Sequence, residues 1–244
     1  MIGDPEVLAF RRGYYDLFVA LLWREPAPDL VAGLTAGLEE RIDAARAVHP
    51  ALGEGWDAIG AFLAATPRDA VADVVTDEYT RVFLGPQRPP VYPYESYYLT
   101  GRVLDRPLAA VRGFLREVGL AREADFSEPE DHLAFELEVM RRLLARQAGS
   151  PDADGEARWL RLQGAFLRDH LLVWGPAVSR DLAAAEGAAF YRGVGRLLEG
   201  FLDLERDVAR EWSQGEVPSL QDARRRAAAT PEFRGPVTEF GGTP

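Results

Sequence analysis

The sequence predicts an all-α fold, a bundle of about nine or ten helices. Three observations predict it. Apolar residues recur with a period near that of the α-helix along almost the whole chain. No stretch alternates β-branched with polar residues, the mark of a half-buried strand. Prolines, glycines and capping residues fall between the periodic runs, where helices begin and end.

Taken in order, Asp4-Pro5-Glu6 supplies an N-cap, a first-turn proline and an early acid. Val7, Phe10, Tyr14, Leu17 and Leu21 carry the first helix to about Trp23. Leu30, Leu34, Leu38 and Ile42 mark a second helix, broken near His49-Pro50. Trp56, Ile59, Phe62 and Leu63 mark a short third one. Thr66-Pro67-Arg68-Asp69 starts a fourth, with Val71, Val74, Val75, Glu78, Tyr79 and Val82 on one side. Gly85 stops it and Pro86 prevents it from resuming. Pro89, Pro90 and Pro93 then favour extended backbone, with room for one helical turn at 95–100. Asp105 and Pro107 open the next helix, which buries Leu108, Val111, Phe114, Leu115 and Val118 and ends at Gly119.

The stretch AREADFSEPEDH reads as a polar, acidic connector. Ser127 and Glu130 have capping-box spacing around Pro129, which places Asp131 and His132 in the first turn of the following helix. That helix buries Leu133, Leu137, Met140 and Leu144. After a turn at Gly149-Ser150-Pro151, a long helix carries Trp159, Leu162, Phe166, His170 and Trp174 up to Gly175-Pro176. The last helices run from about 177 to 213 and bury Phe190, Leu197, Phe201 and Leu204. From Gly215 the composition shifts, and 215–244 reads as a mostly irregular tail. It contains Arg224-Arg225-Arg226 in a short helical stretch near 219–228. Residues 1–213 then form one helical domain, with an N-terminal half to about 120, a connector over about 121–128 and a C-terminal half from about 129.

Composition bounds the chemistry. The chain has 244 residues, 47% of them hydrophobic, enough for a sizeable core. No apolar run reaches the ~18 residues of a membrane span, and the N-terminus does not read as a secretory signal. With no cysteine, disulfides, thiol catalysis and Cys-based zinc sites are excluded. A net charge of −11 disfavours nucleic acid and anionic membranes and favours basic partners. Phosphate-cradling and dinucleotide motifs are absent, as is HExxH. His132 and Glu136 share a helical face, but a di-iron bundle needs two Glu-x-x-His pairs, and His132 reads better as a capping group. His49 reads as exposed and His170 as a satisfied core histidine. Ser96 has no histidine close in sequence and is a poor nucleophile. No catalytic residue, metal or cofactor is expected.

What remains is the segment YTRVFLGPQRPPVYPYESYY at 79–98. A proline-stiffened loop carrying Tyr92, Tyr94, Tyr97 and Tyr98 suits packing, against the protein's own helices or a partner peptide. Together with EPEDHLAFELEVM at 128–140 and FLRDHLLVWGPAVSRDLAAAEGAAFYRGVGRLLEGFL at 166–202, it resembles the TorD/DmsD/NarJ family over roughly residues 7–210. The resemblance implies a non-enzymatic, all-helical cytoplasmic chaperone. It also implies a partner, the catalytic subunit of a molybdopterin-dependent oxidoreductase, bound through its twin-arginine signal peptide or N-terminus until cofactor is inserted. Monomers and domain-exchanged dimers both fit the family.

The family's peptide-binding positions would fall here on Tyr79, Phe83, Gly85 and Pro86, and on Glu128, Pro129, Asp131 and His132. Where better-known members have a tryptophan and a glycine after the proline pair, this chain continues from Pro93 into Tyr94-Glu95-Ser96 and then Tyr97. The chemistry is consistent with such a partner. Two guanidinium groups followed by an apolar stretch call for carboxylates beside an aromatic groove. Glu95, Glu128, Glu130 and Asp131 supply the first, and Phe83, Tyr92, Tyr94 and Tyr97 the second. The loop and the connector are expected to face each other across one groove. The alternative is a structural or assembly subunit of an oxidoreductase complex that recognises no signal peptide.

Overall fold

The computed structural model describes residues 4–85, 89–123 and 126–229. Among them the chain forms twelve α-helices and no strand, as an all-α bundle should. The helices are α1 (Pro5–Leu22), α2 (Pro28–Gly33), α3 (Leu38–Val48), α4 (Pro50–Ala65), α5 (Val71–Tyr79), α6 (Glu95–Thr100), α7 (Arg106–Glu117), α8 (Leu133–Ala148), α9 (Ala153–Phe166), α10 (Leu172–Ala184), α11 (Phe190–Trp212) and α12 (Leu220–Ala229). A π-turn, Thr80–Leu84, extends α5, and another, Leu167–Leu171, joins α9 to α10.

The longest helix, α11, lies at the centre of the bundle. Its small and apolar residues pack on α4, α10 and α9, while α1 lies against α8. Phe201 of α11 gathers Tyr14, Tyr15 and Phe18 of α1, with ring centroids 5.4, 4.9 and 5.6 Å away. Beside them Arg11 donates from Nε and Nη2 to the two carboxylate oxygens of Glu205, at 2.6 and 2.8 Å, and Tyr15 Oη donates to the same group. Both ends of this pair are buried, so α1 and α11 are joined by a bidentate ion pair inside the core.

Several helix boundaries differ from the sequence expectation; the expected short third helix is the sixteen-residue α4, and three others have a clear physical reason. The second expected helix is two, α2 and α3, because Gly37 turns the chain with φ +60° before Leu38. The helix after the connector starts at Leu133, with His132 as its N-cap, and Ser127 is exposed and caps nothing there. Asp131 and His132 therefore precede the helix instead of lying in its first turn. The long helix does not stop at Pro176, which sits inside α10. Gly175 allows Leu202 of α11 to approach so closely that a Cβ would come within 2.9 Å of it, and Trp174 is fully buried. This packing carries the helix through the proline, whose usual effect is a kink or a break.

Candidate functional site

The π-turn after α5 turns Val82 inward, and its carbonyl accepts from Val91 N at 3.2 Å, closing the proline loop at its base. Pro86 falls outside the described residues. Gly85 ends the π-turn and is half-buried. Val91 and Pro93 point inward, while Tyr92, Tyr94 and Tyr97 are half-buried. Tyr92 and Tyr97 pack on each other at 4.8 Å.

The loop and the connector do not face each other across open space; they are hydrogen-bonded together. Glu95 N donates to Asp131 O at 2.9 Å, and Leu133 N donates to Pro93 O at 2.8 Å. Tyr94 and His132 form an isolated antiparallel bridge, with the rings edge-on at 5.1 Å. Asp131 is fully buried, and its Oδ2 accepts from Ser96 N at 3.0 Å. The aspartate thus caps α6, a helix that begins thirty-odd positions upstream, and the dipole that favours its charge belongs to α6. His132 Nδ1 accepts from Ala134 N at 3.2 Å and caps α8. Burial pulls its pKa down to about 4, so the ring is neutral at physiological pH.

The other carboxylates of this region have separate duties. Glu130 is tied to Arg112 at 2.8 Å and to Arg122 at 3.7 Å. Glu95 is buried, with its Oε2 3.1 Å from His170 Nδ1. Beneath it Glu136, also buried, accepts from Trp174 Nε1 at 3.1–3.2 Å. Burial first, then the nearby Glu95, pushes the Glu136 pKa well above the usual carboxylate value. Glu95, Ser96, Asp131 and His132 are therefore the floor under the loop rather than its open face. Sequence reasoning missed Glu136 and His170 as partners of this floor, and only tertiary packing brings them there.

The open face is built from other residues. Tyr79 is nearly buried, and Phe83 packs on it at 4.9 Å and on Tyr191 at 5.2 Å. Leu84 is 57% exposed next to them. Tyr94 Oη donates to Glu128 Oε2 at 2.6 Å. Burial raises the Tyr79 pKa, and the charges of Glu25 and Glu128, both felt at this ring, raise it further. Trp23, just past the end of α1, stacks on Phe126 of the connector at 3.8 Å, which brings the segment containing Glu25 to the connector. Nothing local in the sequence flags Glu25. Pro129 is half-buried beside Glu128. Among the described residues neither Glu25 nor Glu128 has an arginine or lysine partner within salt-bridge distance.

A family model described as nitrate reductase delta subunit matches residues 45–180, more than half of the chain and a span containing both the loop and the connector. The chain belongs to the TorD/NarJ family. Chaperone protein TorD of Aeromonas salmonicida is 34% identical over 158 residues, covering 65% of this chain and 70% of that protein. TorD of Photobacterium profundum is 30% identical over 142 residues, 57% of this chain and 65% of that protein. TorD of Aliivibrio fischeri is 30% identical over 139 residues, 56% and 64%. The role that comes with the TorD/NarJ family is a chaperone's in enzyme maturation, not a catalyst's. No helix among the described residues is long and apolar enough to cross a membrane.

Proposed function

We propose that this TorD/NarJ-family chain acts in the cytoplasm. There it binds the N-terminal, twin-arginine-bearing segment of a molybdopterin-dependent oxidoreductase and keeps that subunit available for cofactor insertion. The observation that carries the reading is the pair of carboxylates, Glu25 and Glu128, which have no cationic partner among the described residues and whose charges are felt at an aromatic wall of buried Tyr79 and half-buried Phe83 and Tyr94. Guanidinium groups complement such carboxylates and stack on aromatic faces, and an apolar stretch complements Phe83 and Leu84. Gly85 and Pro129 shape the rim. Pro93, Glu95, Ser96, Asp131 and His132 fix the loop from below, which lowers the ordering cost of binding. Tyr97 extends the wall toward α6.

The test is titration with a synthetic twin-arginine peptide and its Lys-Lys counterpart. The Arg-Arg form binds more tightly, and Glu25→Gln and Glu128→Gln each weaken it severalfold, together by about tenfold or more, in the range of exposed ion pairs. Equal binding of both peptides, or no response in the double variant, removes the carboxylates from recognition. Absence of binding favours the alternative of a structural subunit.

A further inference from the structure

Arg224-Arg225-Arg226 stands out in the sequence, and the functional reading leaves it unused. The structure places it in α12, followed by Ala227, Ala228 and Ala229. This is the chemistry expected of the client segment, adjacent arginines ahead of small apolar residues, on the chaperone itself. α12 lies on α6, the helix that the proline loop runs into, and on α10. Arg224 Nε donates to Tyr98 O in the last turn of α6 at 2.8 Å. The C-terminal end of a helix is where a guanidinium is favoured. Next to it Tyr98 Oη donates to Asp181 of α10 at 2.6 Å, and the Tyr98 hydroxyl feels both the Asp181 and the Arg224 charge. At the other end of α12, Arg106 of α7 donates to Ala227 O at 3.0 Å.

The seat is shallow. No residue of α12 is buried, and a cavity of about 660 Å³ remains between it and Tyr98, Thr100, Asp105 and Asp181. A ten-residue helix with no fully buried residue, whose Leu220 is only half-buried against the core, is held mainly by these contacts, since isolated helices of that length are marginal in water. The surface beneath it also continues the recognition face. Tyr97 borders the cavity and packs on Tyr92 of the loop.

We propose that α12 is a tethered occupant of an arginine-receiving surface on α6, α7 and α10, and that a client's arginine-bearing segment displaces it. This rests on the function proposed above. The occupied surface takes a short helical turn bearing an arginine, received by the Tyr98 carbonyl beside the Tyr98–Asp181 pair, with Arg106 on a carbonyl of its last turn. Occupation by α12 lowers the apparent client affinity by the fraction of time the surface is covered. It also keeps the surface of Tyr97, Tyr98 and Asp181 covered between clients.

The experiment uses the full chain and a synthetic twin-arginine peptide. Hydrogen exchange is followed with and without saturating peptide. Displacement makes the amides of 221–229 exchange faster while those of the 91–100 segment slow. In parallel, Arg224→Ala raises peptide affinity roughly three- to tenfold, the effect of losing one charge-assisted hydrogen bond from the competitor. Arg225→Ala leaves affinity unchanged, because Arg225 is exposed and pairs with Asp222 of its own helix. Peptide binding with α12 exchange unchanged or slowed, or with unaltered affinity in Arg224→Ala, overturns the inference and leaves the proposed function standing. Absence of peptide binding to any form overturns both.

Discussion

At the scale of single residues, the acids of the connector differ in fate although they look alike in sequence. Within 128–131, Glu128 stays half-exposed against Tyr94, Glu130 is neutralised by Arg112 and Arg122, and Asp131 is spent on capping α6. No local pattern separates them. Their roles come from arginines and amides that folding brings from other elements. His132 gives a test with a definite sign. Its pKa in the folded protein, about 4, lies below the ordinary histidine value near 6.5. Between these values the unfolded chain binds the extra proton and the folded chain does not. The stability contribution is thus complete above about pH 6.5 and is lost as the pH falls toward 4, on the order of 3 kcal/mol in all. His132→Asn keeps an acceptor for Ala134 N and removes the titration. Denaturant melts at a series of pH values should show a flatter decline between pH 6.5 and 4 in the variant, and an unchanged slope would assign the decline to other groups. Glu136 works in the opposite direction. Its raised pKa makes burial cost more as the pH climbs, so it cannot mimic the His132 effect.

At the scale of elements, the helical period and the proline and glycine punctuation made most helices legible, down to the short turn at 95–100. The errors came where tertiary contacts outweigh local signals. Pro176 is carried inside α10, and Ser127 loses the cap of α8 to His132. Helix proximity was equally hidden. Gly195 of α11 lies so close to α10 that a Cβ would meet Ala183 N and Ser179 O at 2.7 Å. Gly193 abuts Gly55 and Ile59 of α4 in the same way. Gly195→Ala should therefore lower the melting temperature by several degrees, through overpacking worth about 1–3 kcal/mol. Gly13, an exposed residue of α1, provides the contrast, because nothing lies within 4 Å of where its methyl group would sit. Gly13→Ala should raise the melting temperature slightly, through helix propensity of up to about 1 kcal/mol. Equal effects of the two substitutions would mean that the α10–α11 crossing has slack. Glu78 is a further long-range device. Its carboxylate accepts from Phe190 N at 3.2 Å and Tyr191 N at 2.7 Å, so the helix leading into the proline loop caps the central helix of the bundle.

At the scale of the whole molecule, the net charge of −11 adds a long-range attraction for arginine-bearing segments to the local carboxylates. Peptide affinity should fall steadily as salt is raised from low to physiological strength and beyond, since the Debye length shrinks to about 8 Å at 0.15 M. An affinity indifferent to salt would leave the aromatic wall as the sole source of binding. The bundle is also interlaced along the chain. α1 rests on α8, Arg11 on Glu205, α4 on α11, and the proline loop on the connector. Residues 1–120 expressed alone should show no cooperative melt, because their apolar faces are completed by later helices, and a sharp transition in that fragment would contradict this. The interlacing has a consequence for the timing of synthesis. A ribosome delivers the loop well before residues 131–133 that fasten it, and α11 comes later still. At about 5–20 residues per second, the interval between Tyr97 and the end of α11 is on the order of ten seconds. During that time the aromatic face exists only as unpacked chain, so a copy still being translated has no formed surface with which to hold a client that emerges nearby.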